Sequence, residues 1–170
     1  MTARSWLILG GARSGKTARA LAIGEGFASH IYIATAEALD DEMATRIARH
    51  RQERGAAWLT IEAPLELPTA ILAIRAAHAV CVVDCLTLWL SNLIGAGRDI
   101  AAATTELCRA VPCASPALVL VSNEVGLGLV PETPLGRAFR DHQGRLNQAV
   151  AAVAEQVEFV AAGLPVRLKP

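Results

Sequence analysis

Short apolar runs that alternate with helix-type patterns are the most regular feature of this chain. They predict strands at Trp6–Leu9, Ile31–Ala34, Trp58–Ile61, Val80–Val83, Leu118–Ser122 and Val157–Val160. The runs at 80–83 and 118–121 are apolar throughout, which is typical of central parallel strands that are covered on both faces. The alternation predicts an α/β fold with a mostly parallel sheet and helices on both faces.

The last segment, Gly163–Leu168, follows the sixth run after a Gly-Leu-Pro turn that leaves no room for a helix. We therefore expect it to pair antiparallel with the preceding strand at the edge of the sheet. The alanine-rich stretches at 70–79 and 101–103 predict helices. Without a long linker or repeat, the pattern predicts one domain over residues 1–170.

Composition narrows the class of protein. Hydrophobic residues make up 53% of the chain and aromatic residues only 4%, so we expect a core of Ala, Leu, Val and Ile. Sixteen basic residues balance sixteen acidic ones, and this balance indicates neither a nucleic-acid nor a membrane partner. The most apolar run, 79–90, is too short to cross a bilayer and the first strand begins at once, so a cytoplasmic protein is expected.

The four cysteines, at positions 81, 85, 108 and 113, do not have the spacing of a zinc site. Cys81 lies inside an apolar run, where a cysteine usually behaves as a small buried hydrophobe. We expect no structural metal or redox role for them.

The stretch from Gly10 to Thr17, Gly-Gly-Ala-Arg-Ser-Gly-Lys-Thr, matches the phosphate-binding P-loop pattern. A predicted strand precedes it and a predicted helix, Ala18–Ile23, follows it, as the motif requires. We therefore expect the α/β fold to be of the P-loop NTPase (RecA-like) type and the single domain over residues 1–170 to be a nucleotide-binding catalytic domain. Its glycines allow backbone N–H groups to face phosphate oxygens at a helix N-terminus. Lys16 would reach the β- and γ-phosphates and the Thr17 hydroxyl would bind Mg²⁺; a glycine-rich turn that only packs is the alternative.

Asp84 ends the apolar run that begins at Val80. In P-loop proteins a carboxylate in this position holds Mg²⁺ directly or through water. Apolar strands that end in aspartate are common, so a carboxylate that only caps a turn is the alternative.

A predicted helix after Asp40 carries acidic residues in its first turn and arginines in its last turns, as the helix dipole favours. His50 shares a face with Met43 and Ile47, which fits a histidine packed against the core. However, four arginines surround it, at positions 46, 49, 51 and 54. Such a cluster favours a neutral, nucleophilic imidazole and a bound anion, for which a triphosphate is the obvious candidate.

The segment Val121–Pro131 leaves a central strand and enters a loop with glycines at 126 and 128. Ligands bind beyond the carboxyl ends of such strands, so we expect Asn123 and Glu124 to face the site. The helix that follows, Gly136–Gln148, has arginines and polar groups on one side. A solvated face and a ligand surface explain that side equally well.

Together these residues resemble the bifunctional adenosylcobinamide kinase / adenosylcobinamide-phosphate guanylyltransferase family of cobalamin biosynthesis. The match runs in order through nearly the whole chain, and the loop at 122–131 and the helix with His50 are its specific parts. The matching segments are Gly10–Thr17, Tyr32–Thr35, Asp40–Met43 with Arg46 and Ile47, Ser122–Pro131 and Gly136–Gln148.

The resemblance implies phosphorylation of adenosylcobinamide with ATP or GTP, and then transfer of GMP from GTP through a guanylylated histidine at His50. It also implies a homotrimer, Mg²⁺ at Thr17 and Asp84, and catalytic roles for His50 and Lys16. The nucleotide contacts that it implies are Gly10, Gly11, Ala12, Arg13, Ser14, Gly15, Lys16, Thr17, Ala34, Thr35, Ala36, Arg51, Gln52, Glu53, Arg54, Glu62 and Asp84. Where some members have a second histidine, this chain has Arg49 and Arg51, and Asp84 replaces the glutamate of some members.

Two other functions fit parts of the pattern. One is a plain small-molecule P-loop kinase in which His50 is structural, and the other is a nucleotide-binding module without catalysis. The residues do not locate the corrinoid pocket; the loop at 95–99 and the helix after Pro131 are candidates.

Overall fold

The computed structural model describes residues 4–37, 45 and 57–169. The strands are β1 (Ser5–Gly10), β2 (Ser29–Ala34), β3 (Trp58–Glu62), β4 (Ala79–Asp84), β5 (Ala117–Asn123), β6 (Gln156–Ala161) and β7 (Leu164–Lys169). The helices are α1 (Lys16–Gly24), α2 (Leu67–Ala73), α3 (Leu86–Gly95), α4 (Ile100–Cys113) and α5 (Pro134–Val153).

The strands form one seven-stranded sheet in the order β3-β2-β4-β5-β1-β6-β7. Neighbouring strands are parallel except β7, which pairs antiparallel with β6 at the edge. This architecture confirms the predicted fold class and the predicted edge strand, and each predicted strand lies within an observed one.

The predicted helix over 70–79 is wrong in its second half. Helix α2 begins earlier, at Leu67, with Pro68 in its first turn, and ends at Ala73. Ile74 is already extended and is buried in the core. The chain must leave the helix there because Ala79 pairs with Ser29 as the first residue of β4.

The core consists of two apolar layers, one on each face of the sheet, because alternate residues of each strand face opposite sides. In β1, Leu7 and Leu9 belong to the larger layer and Trp6 and Ile8 to the smaller one. The larger layer packs against α2, α3, α4 and α5, whereas the smaller layer packs against α1. Two-sided burial explains why the central strands are apolar throughout.

The carboxyl ends of six strands meet along one edge of the sheet. Ala34 is paired with both Glu62 and Asp84, and Gly10 is paired with Asn123. The register therefore brings together residues that are far apart in the sequence. Within the described part of the chain, no helix has both the length and the apolar character needed to cross a membrane.

Candidate active site

Residues 10–17, called the phosphate cradle below, connect β1 to α1 in the conformation that the P-loop motif predicts. Gly15 has a positive φ of 99° directly before α1, in the region that favours glycine. A Cβ on Gly10 would lie only 2.4 Å from the carbonyl oxygen of Val160 and 2.6 Å from Ser14 Oγ. Both positions therefore require glycine, one for backbone conformation and the other for space.

Lys16 is buried with 7% of its surface exposed, and its ammonium group lies over the cradle. Its Nζ donates a hydrogen bond of 2.5 Å to the carbonyl oxygen of Gly11. A buried ammonium is stable only with such partners. The positive charge is thus held next to the backbone N–H groups at the start of α1, where an anion would bind.

Ser14 gives an independent test of whether the cradle fits a phosphate. Its hydroxyl oxygen is fully buried and has no hydrogen-bond partner. Buried polar atoms nearly always have a partner, and an orphan of this kind is typical of a ligand position. A hydroxyl, an ammonium group and helix N–H groups around one turn fit the oxygens of a phosphate chain.

Asp84 lies beside the cradle at the end of β4. One of its oxygens, Oδ2, accepts hydrogen bonds from Thr17 Oγ1 at 2.9 Å and from Tyr32 OH at 2.8 Å. The hydroxyl and carboxylate that were predicted to bind Mg²⁺ are therefore in direct contact. Such oxygen donors fit Mg²⁺, which usually takes one or two protein ligands and keeps several waters.

The end of β2 is tied to β4 through buried side chains. Thr35 Oγ1 donates to the carbonyl oxygen of Cys85 and accepts from the Cys85 N–H, both at 2.8 Å. Asn92 Nδ2 donates to the carbonyl oxygens of Thr35 at 2.7 Å and Pro64 at 3.0 Å. Ala34, Thr35 and Ala36 are thus held in fixed positions next to Asp84, and Glu62 ends the neighbouring strand β3.

The predicted nucleophile and its arginines lie outside the described residues. This applies to His50 and to the predicted nucleotide contacts Arg51, Gln52, Glu53 and Arg54. The structure thus brings together the predicted residues of the cradle, of β2, of β3 and of β4. The position of His50 relative to them stays a prediction.

Asn123 and Glu124 lie at the same edge of the sheet as the cradle, where the backbone of both residues and the side chain of Glu124 form local hydrogen bonds. The N–H of Glu124 donates to the carbonyl oxygen of Gly10 at 3.0 Å. Its side chain accepts from the N–H of Gly126 at 2.6 Å. The backbone of Asn123 is bound by Thr87 Oγ1 and by Asn147 Nδ2. Both residues therefore hold the loop after β5 against the cradle.

Helix α5 turns part of its polar side toward the sheet rather than to solvent. Gln143 and Asn147 are buried and form hydrogen bonds of 2.7–3.0 Å with each other and with Ser122. Neither a solvated face nor a ligand surface describes Gln143 and Asn147, because both residues belong to a buried polar network with Ser122.

An ion pair joins α1, the helix that follows the cradle, to strand β6. The guanidinium of Arg19 on α1 donates two hydrogen bonds, at 2.7 and 2.8 Å, to the carboxylate of Glu158 on β6. Glu158 is buried, and Arg19 lowers the pKa of its carboxyl group. In addition, the N–H of Gly163, in the turn between β6 and β7, donates to the carbonyl oxygen of Ser14 at 2.8 Å.

All four cysteines are free thiols. Burial raises the pKa of Cys81 to about 12 and that of Cys85 to about 11, so neither is a reactive thiolate at neutral pH. Among the residues that the structure describes, no three His, Cys, Asp or Glu side chains form a metal-binding group.

Sequence reasoning missed Tyr32, Thr35 as a structural link, and the pair Arg19–Glu158. A glutamate inside the apolar run of β6 was the available signal for a buried ion pair, since a buried carboxylate needs a partner. Tyr32 gave no such signal, because its contact with Asp84 depends on the order of β2 and β4 in the sheet.

Comparisons with known proteins agree with this geometry. The family model for cobinamide kinase / cobinamide phosphate guanyltransferase matches residues 6–168. The chain is 46% identical to the bifunctional adenosylcobalamin biosynthesis protein CobP of Pseudomonas aeruginosa, over 96% of each chain. It is 40% identical to the bifunctional adenosylcobalamin biosynthesis protein CobU of Escherichia coli K12, over 96% of this chain and 98% of that protein.

Solved structures with the same fold include two proteins whose chains are about twice as long as this one. The P4 protein of bacteriophage phi6 in complex with ADP matches with a TM-score of 0.52 and 16% identity, over 95% of this chain and 52% of that chain. The ATPase EscN of the enteropathogenic E. coli type III secretion system matches with a TM-score of 0.54 and 10% identity, over 93% and 43%. The chain thus spans about half the length of these proteins, and the likeness establishes the P-loop fold alone.

Proposed function

The chain belongs to the cobinamide kinase / cobinamide phosphate guanyltransferase family and is an enzyme, and from this premise we propose how it performs both reactions. It phosphorylates the side-chain hydroxyl of adenosylcobinamide with ATP or GTP. It then transfers GMP from GTP to that phosphate, giving adenosylcobinamide-GDP and pyrophosphate. The observation that carries the proposal is the contact between Thr17 and Asp84, which joins the phosphate cradle to the carboxylate of β4.

In the kinase step, the substrate hydroxyl attacks the γ-phosphorus in line, and the bond to the β-phosphate oxygen breaks. The protein contributes position and charge rather than a covalent bond. Lys16 and the N–H groups of the cradle hold the phosphate chain. Mg²⁺, held by Thr17 and Asp84 when bound, neutralises phosphate charge.

In the nucleotidyl step, a neutral imidazole nitrogen of His50 attacks the α-phosphorus of GTP. A P–N bond forms, the bond to the β-phosphate oxygen breaks and pyrophosphate leaves. The phosphate of adenosylcobinamide phosphate then attacks the same phosphorus and releases His50. One cradle serves both steps, because each step begins with a bound triphosphate and the steps differ in the nucleophile and in the phosphorus that it attacks.

Further contacts belong to the same proposal. Glu62, at the end of β3, accepts hydrogen bonds from the two N–H donors of guanine, N1–H and the N2 amine. Arg51 and Arg54 bind the nucleotide beside His50. The enzyme acts as a cytoplasmic homotrimer, without a nucleic-acid partner and without insertion into a membrane.

The decisive experiment is intact-mass spectrometry of the His50→Asn variant after incubation with GTP and Mg²⁺. Wild-type protein should gain the mass of one GMP, and the variant should gain none because asparagine has no nucleophilic nitrogen. The variant should still convert adenosylcobinamide to its phosphate, which accumulates without the GDP derivative. His78→Asn is the matched control, because His78 is exposed before β4 and should not affect the adduct.

Three results would overturn the proposal. A GMP adduct on the His50→Asn variant would assign the nucleophile to another residue, such as His30, His78 or His142. Wild-type protein that binds GTP but neither forms an adduct nor turns over with adenosylcobinamide would be a nucleotide-binding module. A protein that forms the phosphate but no adduct would be a plain kinase.

A further inference from the structure

The loop between β5 and α5, residues 124–133, presents large apolar side chains to solvent. Leu127 is 81% exposed, Leu129 96% and Val130 63%, and Leu135 follows in the first turn of α5 with 66%. Exposed leucines that stand singly are ordinary, but four within nine residues form a patch of the kind that marks a binding site.

Hydrogen bonds hold the loop in this arrangement. Glu124 Oε1 binds the N–H of Gly126, and a Cβ on Gly126 would lie 2.8 Å from that oxygen. At the other end, Arg137 Nη1 donates to the carbonyl oxygens of Pro131 at 3.1 Å and Glu132 at 2.7 Å. Hydrogen bonds thus fix the backbone at both ends of the loop, and the apolar side chains between these ends are exposed to solvent.

The loop begins directly beside the phosphate cradle. The N–H of Glu124 donates to the carbonyl oxygen of Gly10 at 3.0 Å, so the loop leaves the sheet at the first residue of the cradle. Leu127 follows three residues later, so its Cα lies within about 11 Å of the Cα of Glu124. The apolar patch therefore starts next to the place where the phosphates bind.

The substrate of the proposed function has matching chemistry. In a cobinamide the hydroxyl ends a flexible amide arm on a broad corrin ring that carries methyl groups. The hydroxyl must meet the γ-phosphate at the cradle, so the ring must lie within the length of that arm. A ring with apolar faces needs an apolar surface in that range.

A second exposed apolar stripe among the described residues begins near the cradle but extends away from it. Leu164, Val166 and Leu168 are exposed on β7. Leu164 follows Gly163, whose N–H donates to the carbonyl oxygen of Ser14 at 2.8 Å, so the stripe begins beside the cradle. Because β7 runs antiparallel to β6, Val166 and Leu168 then lie progressively farther away, and Lys169 is paired with Val157 near the opposite edge of the sheet. The loop after β5, in contrast, carries all its exposed apolar side chains within a few residues of its contact with the cradle.

We infer that Leu127, Leu129 and Val130 form the contact surface for the corrin ring of the substrate. This inference rests on the proposed function for the identity of the ligand. It assigns the loop to substrate binding and the cradle to the chemistry.

The test is a double variant, Leu127→Ser with Leu129→Ser, with Leu168→Ser as the matched control at the remote end of β7. Equilibrium dialysis with adenosylcobinamide and no nucleotide gives the dissociation constant. The double variant should raise this constant and the KM for adenosylcobinamide at least about tenfold, because two apolar contacts are lost. The KM for GTP and the yield of GMP adduct should stay unchanged, and Leu168→Ser should match the wild type.

Three results would overturn the inference. The first is an unchanged dissociation constant in the double variant. The second is a loss of GMP adduct in the double variant, which would mean that the loop supports the cradle. The third is a change of assembly mass in analytical ultracentrifugation without a change in cobinamide binding, which would mean that the patch joins two copies of the chain. Failure of the proposed function itself would be visible in the wild-type protein, as the absence of the adduct.

Discussion

The phosphate cradle and the loop after β5 begin at the ends of neighbouring strands, on the same edge of the sheet. They differ in how far their functional side chains are exposed to solvent. In the cradle Lys16 is buried with 7% of its surface exposed, and beside it the half-buried Asp84 is already bound to Thr17 and Tyr32. In the loop, hydrogen bonds hold only the backbone, and Leu127 and Leu129 face solvent.

The difference corresponds to two kinds of task. Charge that develops during phosphoryl transfer is stabilised best by groups already in place, because no reorganisation is then needed at the moment of reaction. A ligand with apolar faces is bound best by apolar surface that loses water only when the ligand arrives. Variants that damage one region and spare the other would sharpen this comparison.

The largest effect is expected for Lys16→Ala. Because one cradle holds the triphosphate in both steps, both the kinase rate and the guanylyl transfer rate should fall by about 10²–10³-fold. Binding of adenosylcobinamide should be unchanged, which is the reverse of the pattern for the double leucine variant. Rates for each step and equilibrium dialysis measure the two quantities, and a guanylyl transfer rate at the wild-type level would refute the shared cradle.

A smaller effect is expected for Glu158→Gln, which removes the carboxylate charge that pairs with Arg19 but keeps the size of the side chain. The free energy of unfolding should fall by about 2 kcal/mol, because the two hydrogen bonds from Arg19 lose their anionic acceptor. Chemical denaturation measures this quantity. Glu106→Gln, an exposed glutamate on α4, is the matched control and should change it by less than about 0.5 kcal/mol.

The stability difference between wild type and the same variant should depend on pH. Arg19 lowers the pKa of Glu158 below its usual value of 4.5 in the folded protein. The pair therefore stabilises the fold fully above that value, and its contribution is lost as the pH falls through the lowered pKa. The difference between wild type and Glu158→Gln should shrink in acid, and a constant difference would show that the carboxylate charge is not the cause.

The smallest effect is expected for Tyr32→Phe. The variant keeps the buried ring, including its edge contact with Trp58, and loses the hydrogen bond to Asp84. We expect the free energy of unfolding to fall by about 1 kcal/mol, the usual value for one such bond. Thermal and chemical denaturation measure it, and an unchanged stability would show that Thr17 alone suffices to hold the carboxylate.

The cradle was predictable because its chemistry is local. Gly10, Gly15, Lys16 and Thr17 lie within eight residues, and a strand–turn–helix context follows from their neighbours in the chain. The strands were predictable for a similar reason, since burial on both faces makes a strand apolar throughout. Helix α2 was less predictable, because its end at Ala73 depends on where β4 starts in the sheet.

The sequence by itself determined the class of fold, the phosphate-binding turn and the carboxylate at the end of β4. Only the tertiary structure decided that Tyr32 and Thr17 share one oxygen of Asp84, that Arg19 pairs with Glu158 and that Gln143 and Asn147 face Ser122. These contacts join residues up to 139 positions apart. They depend on strand order and register, which arise from packing of the whole core, so neighbouring positions in the chain do not show which residues become partners.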